Sequence, residues 1–377
     1  MKNNIQMVDL KTQYHHIKEE IDKAVIDCID STAFINGPAV KEFQISLEQY
    51  LGVKHVIPCA NGTDSLQIAM MALDLKPGDE VICPAFTYVA TAEVIGLLGL
   101  IPVMVDVDSN TFNLKASNIE KAITNKTKAI VPVHLYGQSC DMEPIIELAQ
   151  KYNLYVIEDN AQAIGADYTF SDGRIVKTGT IGHIGSTSFF PSKNLGCYGD
   201  GGALMTNDDD LAQKMRMIAN HGQEKKYFHK VLGCNSRLDT IQAAVLNIKL
   251  KHLDTYSQAR NAMALFYDKA FSAIEELEVP ERQSNSTHVF HQYTLKVKNG
   301  KRNELLQYLL DLGIPSMIYY PLPLYKQEAF QQFVSTDFKL VTTEELCDVV
   351  LSLPIHTEMN IDNMNYVCNS VQSFFKK

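Results

Sequence analysis

The sequence predicts an α/β fold, with a large, mostly parallel sheet and a smaller α/β domain at the C-terminal end. Three observations carry that prediction. Between about Val53 and Asp159, short β-branched runs alternate with helical patterns, which is the signature of βαβ units. Pro and Gly are spread along the chain, and no internal repeat or low-complexity tract appears. From roughly Val279 the pattern changes to a strand-like FHQYTLKV followed by helical segments.

In chain order, HVIPCA reads as a strand and Thr63 to Leu73 as a helix; EVICPAF follows as a strand and Tyr88 to Leu98 as a helix. PVMVDV, a helix near Ser117 to Ile123, KAIVPVHL, a helix from Met142 to Tyr152 and LYVIED continue the alternation. The apolar run STSFF is a further strand, and a long, Leu-poor helical stretch extends from Leu238 to about Phe271. The small domain closes with a helix near Asn303 to Leu312 and another near Met364 to Phe375. Residues 1–250 thus form an arm and the large domain, and residues 251–377 a connecting helix and the small domain.

Of the 377 residues 46% are apolar, enough for a large core, and the formal charge of -10 leaves no basic footprint for nucleic acid or an anionic membrane surface. The first twenty residues lack the apolar centre of a signal peptide, and no run approaches the roughly 20 apolar residues that span a bilayer, so a cytoplasmic location is expected. Eight cysteines are scattered without a CxxC pair or metal-ligand spacing, so buried free thiols and no metal are expected.

In open sheets of this kind ligands sit beyond the carboxyl ends of the strands, and those ends hold the informative residues. Asp159 closes LYVIED, where an apolar strand runs into two carboxylates, and Gln162 follows it. Gly62 and Thr63 open a helix directly after a strand, so free amides and a hydroxyl are available to a phosphate. Tyr88 heads the next helix, while Ser188 precedes Lys193 by five residues in a Pro-Ser-Lys-Asn turn. Each feature has an ordinary reading: a loop lysine, a solvated acid, N-capping by Asn61 or Thr63, a core aromatic. Their joint order supplies an amine for an aldehyde, an acid for a pyridine nitrogen, a phosphate cradle and a ring support. Those are the parts that an enzyme using pyridoxal 5'-phosphate (PLP) requires.

The motifs SFFPSKNLGCYGDGGALMTND, NGTDSLQIA, EDNAQAIGA and NSRLDTIQAA resemble the DegT/DnrJ/EryC1/StrS sugar aminotransferases over nearly the whole chain. The resemblance implies the aspartate-aminotransferase fold, type I among PLP-dependent transferases. It also implies transfer of an amino group, with L-glutamate as donor, to a nucleotide-linked keto-sugar. Lys193 matches the lysine that carries PLP, Asp159 the acid at the pyridine nitrogen, Gln162 the partner of the ring hydroxyl and Tyr88 the stacking aromatic. Gly62, Thr63, Asp64 and Ser188 match the phosphate cradle, and Asn235 an asparagine that reaches it from the other subunit of a homodimer with shared active sites.

Within that family the chain resembles most the enzymes that aminate UDP-2-acetamido-2-deoxy-3-oxo-D-glucuronate on the way to bacterial surface polysaccharides such as O-antigen. Thr32, Phe34, Ser192, Arg237, Tyr319 and Tyr320 match their sugar-nucleotide contacts. Three of these differ in kind: Phe34 replaces the usual tyrosine, Thr32 a glycine and Tyr319 a histidine. A dTDP-linked 3-keto-6-deoxyhexose is therefore the alternative substrate. Arg237 offers a planar fork to carboxylate or phosphate, or else forms a structural ion pair at the interface. Lys193 argues against the family's sugar dehydratases, which carry histidine there, and with Asp159 and Gln162 against a non-catalytic PLP-binding regulator. GDGG lacks the GxxxxGK[ST] pattern of a P-loop.

Overall fold

A computed structural model describes residues 5–376. Seven strands form the large sheet in the spatial order 55–59, 202–206, 184–188, 155–159, 127–130, 80–84, 101–105. Only Gly202–Thr206 is reversed: it pairs antiparallel with both neighbours, while the remaining pairs are parallel. Helices cover both faces, so successive residues of one strand enter opposite cores. Val81 and Ile157 pack with Leu66, Ile68 and Met215, whereas Ile82 and Val156 pack with Ile145 and Val105. Strands buried on two faces must be apolar at every position, which is why they read as continuous runs. A third cluster joins Phe43, Leu47, Phe189, Leu238 and Leu246 at the edge that holds 55–59.

The small sheet is antiparallel, with Leu277–Glu278, Tyr293–Val297 and Val350–Leu353, and Tyr293 lies opposite Leu353. Helices Leu253–Phe271, Arg302–Asp311 and Ile361–Phe375 bury Tyr267, Phe271, Leu305, Leu309, Val367 and Val371 against it.

Four features depart from the sequence expectations. Helices Leu10–His16, Lys18–Ser31 and Pro38–Leu51 precede the first strand, where the sequence pattern assigns no element. The second of them buries only Ile21 and Cys28, too thin a stripe to read as amphipathic. The expected single helix to Phe271 is two, Thr240–Leu250 and Leu253–Phe271. His252 sits at φ -101°, ψ -5°, and its N–H donates to the Lys249 carbonyl at 3.0 Å, three residues back instead of four, so the chain turns between the two helices. The reversed strand 202–206 was hidden behind the Gly-rich run, and the helix expected from Tyr88 begins at Ala90. All eight cysteines are free, and all but the half-buried Cys234 are buried.

Candidate active site

Asp159 ends the central strand of the seven, so its side chain emerges at the carboxyl edge of the sheet. Thr91 Oγ1 donates to its Oδ2 at 2.8 Å and the Ala161 N–H to its Oδ1 at 3.1 Å. At 6% exposure the carboxylate is buried, yet among the described residues it has only these two donors for two oxygens. Its neighbour Glu158 points to the opposite face and is fully occupied. It accepts from His134 Nε2 (2.9 Å) and from the N–H groups of Gly179 (2.8 Å), Ile181 and Gly182 (both 2.6 Å). His134 Nδ1 accepts from the Cys140 N–H at 3.0 Å, so its proton lies on Nε2 and the pair is a neutral imidazole donating to a carboxylate. Strand alternation thus separates a structural acid from one with capacity to spare.

Lys193 sits in a tight turn beyond strand Ile184–Ser188, with its N–H on the Phe190 carbonyl at 2.8 Å. A Cβ on Gly196 would stand 2.4 Å from the Pro191 carbonyl oxygen, so only glycine lets the chain close behind the lysine. The side chain keeps a narrow opening to solvent, but loss of hydration pushes its amine down to about 8, against the pull of the Asp159 carboxylate. Lys249 is also pushed down to about 8 by burial, yet it lies 1% exposed beneath Tyr198, its ammonium 5.3 Å from that ring. Among the described residues the charges that act on it are those of Cys197 and Arg260, with no carboxylate. Of the two amines, Lys193 alone among the described residues combines a low proton affinity with a carboxylate that acts on it.

Helix Gly62–Ala72 starts against the end of the lysine strand. Asn61 caps it, its side chain accepting from the Asp64 N–H at 2.8 Å, while the hydroxyls of Ser65 and Ser186 are hydrogen-bonded below. The Gly62 and Thr63 amides lie at the helix start, where no intrahelical acceptor exists. A Cβ on Gly62 would lie 2.7 Å from that of Ser188, and one on Gly202 would lie 2.4 Å from the Asn61 carbonyl carbon. Gly62, Thr63, Asp64 and Ser188 are therefore drawn into one cradle that tolerates no added bulk, as an anion held by backbone N–H groups demands.

Gln162 accepts from the Tyr136 N–H at 2.7 Å, and its Nε2 donates to the Tyr320 hydroxyl at 3.3 Å. Tyr320 stands edge-on to Phe86, with the Tyr88 ring 6.4 Å away. Tyr88 is 58% exposed, so it is not the core aromatic that its helix-start position also allowed. The Tyr136 hydroxyl donates to the Tyr319 carbonyl, which ties the 319–320 segment to the large sheet.

A second group lies on another edge. Thr32, left-handed at φ 54°, ends its helix; Thr240 N–H donates to the Phe34 carbonyl at 3.0 Å, and Ile35 bridges Asp239. Phe34 is 44% exposed, and Arg237 lies on the facing segment two residues before Asp239. Among the described residues Arg237 has no ion-pair partner, and the Asn235 side chain is exposed. Ser236 accepts from the Ala60 N–H at 3.0 Å, which anchors this segment next to the cradle, and Ser192 adjoins Lys193 half-buried. The sequence reading missed Thr91, Tyr136 and the Glu158–His134 pair. Thr91 carried a usable signal, one turn beyond Tyr88; the others are long-range contacts that a pattern does not show.

These residues fit a planar anionic aldehyde: an amine, an acid opposite it, a cradle for a phosphate and an exposed ring. The model of the DegT/DnrJ/EryC1/StrS aminotransferase family matches residues 15–372. The chain is 44% identical to a "Pleiotropic regulatory protein" of Geobacillus stearothermophilus, covering 99% of each chain. It is 43% identical to a UDP-2-acetamido-2-deoxy-3-oxo-D-glucuronate aminotransferase of Pseudomonas aeruginosa, covering 97% of this chain and 98% of that one. A dTDP-3-amino-3,6-dideoxy-alpha-D-galactopyranose transaminase of Aneurinibacillus thermoaerophilus is 40% identical, with 98% and 99% covered. Among solved structures, DesV of S. venezuelae in complex with a ketimine intermediate superposes with a TM-score of 0.94 at 36% identity, covering 99% of both chains.

Proposed function

Because this chain belongs to the DegT/DnrJ/EryC1/StrS aminotransferase family, a PLP-dependent family of the type I fold, we propose that it aminates a nucleotide-linked 3-keto-sugar at Lys193. What carries this reading is the placement of Lys193 in a glycine-closed turn beyond strand Ile184–Ser188, beside the strand that ends in Asp159, whose carboxylate opposes the burial that pushes the amine down to about 8. PLP, when bound, supplies an electron sink that makes the α-hydrogen of an amino donor acidic. The protein supplies the rest.

Lys193 would hold PLP, and L-glutamate would serve as the amino donor. With a titration point of about 8, the Lys193 amine would take up and give back the donor's α-proton near neutral pH. With the keto-sugar the same amine works in the opposite direction. Asp159, oriented by Thr91 and Ala161, has lone pairs to spare for the pyridine N–H and holds that proton in place. Gln162, fixed by Tyr136 and Tyr320, has its second amide hydrogen for the ring hydroxyl, and Tyr88 offers its exposed face for stacking. The helix start at Gly62, Thr63 and Asp64, with Ser188, binds the phosphate.

Asn235 and Arg237 complete the site of the partner subunit in a homodimer, together with Thr32, Phe34, Ser192, Tyr319 and Tyr320 as sugar-nucleotide contacts. Residues 1–250 and 251–377 are the two domains of each subunit in this reading, and the location is cytoplasmic. UDP-2-acetamido-2-deoxy-3-oxo-D-glucuronate suits an unpaired arginine, whose fork grips a carboxylate, and a role in surface polysaccharide synthesis follows. A dTDP-3-keto-6-deoxyhexose is the second reading. It is favoured by the exposed Phe34, which offers an apolar ring to a deoxygenated sugar.

The test is to convert the enzyme to its pyridoxamine form and add UDP- and dTDP-linked keto-sugars one at a time. The true substrate restores the absorbance of the PLP form. If no member of the panel does so, the sugar assignment fails.

A further inference from the structure

Next to the ring pair of Tyr88 and Tyr320 lies a groove of about 850 Å³. Its place follows from the chain. Val89, which lines it, is the residue after Tyr88, and Leu322, which also lines it, lies two residues beyond Tyr320; the two ring centroids stand 6.4 Å apart. The Tyr320 hydroxyl in turn accepts from Gln162 Nε2 at 3.3 Å. The groove thus continues the candidate site from just past the carboxyl end of strand Glu80–Pro84, where open sheets hold their ligands.

Packing fixes its shape. The Leu324 N–H donates to the Ala85 carbonyl at 3.1 Å, and the Phe330 N–H to the Gln327 carbonyl at 3.0 Å. Leu324 and Phe330 are buried in the same core as Leu66 and Val81. A Cβ on Gly96 would lie 3.3 Å from the Phe333 ring, so the 328–333 turn sits hard against helix Ala90–Leu97. The volume falls within the roughly 300–1,000 Å³ of small-molecule sites.

The lining combines two kinds of surface. Val89 and Leu322 are apolar, and Leu322 is 38% exposed. Gln327 and Gln331 each bring an amide that both donates and accepts, and neither amide has a hydrogen-bond partner among the described residues. Among the described residues of the lining, Lys326 is the one cation and Glu328 the one acid. Lys326 holds Glu344 at 3.0 Å, which leaves two of its three N–H groups. An apolar wall edged by amides suits a nucleobase, and an ammonium beside it suits a diphosphate.

We propose that this groove binds the nucleoside diphosphate of the substrate, with the base against Val89 and Leu322, its edge on Gln327 and Gln331, and the diphosphate toward Lys326. The sugar then projects past Tyr319 and Tyr320 to the lysine. This inference rests on the reading above, in which the substrate is a nucleotide-linked keto-sugar, and it adds the direction in which that substrate lies.

Two substitutions of exposed residues test it: Leu322→Glu sets a charge on the apolar wall, and Gln331→Ala removes one amide. Calorimetric titration of the PLP form with UDP and with dTDP gives Kd for the nucleotide alone. For the tighter of the two, Kd rises about tenfold or more in Leu322→Glu and about threefold in Gln331→Ala. In turnover the loss falls on KM for the keto-sugar and not on the glutamate half-reaction. Leu265→Glu puts the same charge on an exposed leucine of helix Leu253–Phe271 and changes neither value. Where free nucleotide binds too weakly to measure, KM decides alone. Values equal to wild type in both groove variants overturn the proposal. So does a rise that appears only with dissociation of subunits in sedimentation, which would make the groove a contact between copies of the chain. Failure of the substrate reading looks different: no keto-sugar restores the PLP absorbance and neither nucleotide binds the wild type, and then both readings fall. If a keto-sugar reacts with wild type and both variants at the same KM, the groove alone is refuted.

Discussion

Replacing Lys193 by methionine removes an amine that the fold holds about two and a half pKa units below its ordinary 10.5. In cofactor-free protein the sign is definite. Between about pH 8 and 10.5 the unfolded chain keeps this proton and the folded chain does not, so the wild type gains stability as the pH rises through that window. Below 8 the charge is carried in both states, and the folded state bears its full cost, about 3 kcal/mol at 1.36 kcal/mol per unit. Lys193→Met escapes that cost, apart from a packing difference that does not vary with pH. Its stability advantage over wild type should therefore shrink by about 2 kcal/mol between about pH 7.5 and pH 9.5. Tyrosines and cysteines that titrate nearby are common to both proteins and cancel. Urea unfolding of both apoproteins at the two pH values measures the change, with midpoints converted through a common m-value. Two stability profiles that run parallel in pH would show that the amine is not held down by burial, and the argument that selects Lys193 would lose its physical basis.

Asp159→Asn keeps the shape but removes the charge facing the pyridine nitrogen; the glutamate half-reaction should slow by about tenfold to a hundredfold in single-turnover absorbance, and a near-normal rate would remove Asp159 from that role. Gly202→Ala drives a methyl group to within 2.5 Å of the Asn61 carbonyl oxygen, so the cradle must open and the Kd for PLP should rise about tenfold or more by titration of apoprotein, with folding retained. Lys193→Ala and Arg237→Ala proteins, each inactive alone, should regain activity when mixed under demonstrated subunit exchange. One site of each hybrid then has both residues; silence would mean that Arg237 serves its own subunit.

The parts of the fold that the sequence displayed were those whose burial is symmetric. Strands enclosed on both faces announce themselves as apolar runs, and the rule that ligands gather at their carboxyl ends led directly to Asp159 and to the lysine turn. Leu10–His16 and Lys18–Ser31 escaped because each buries only one or two residues, whereas Pro38–Leu51 has a core stripe of Phe43, Leu47 and Leu51 that the pattern could have shown. The break at Lys251 and His252 involves no Pro or Gly and leaves no mark in composition.

At the site, residues joined through strand order were legible, and those joined through long-range contact were not. Glu158 and Asp159 look alike in sequence. Only the backbone N–H groups of 179–182, gathered around one of them, show which acid is spent on structure.

The account turns on one lysine, and the protein offers a competitor of similar proton affinity in Lys249. Borohydride reduction of the PLP-loaded protein, followed by peptide mapping, decides between them. The pyridoxyl mass is expected on the peptide containing Lys193 and should be absent from it in Lys193→Ala. A pyridoxyl group on Lys249 or any other lysine would contradict the assignment of the active site.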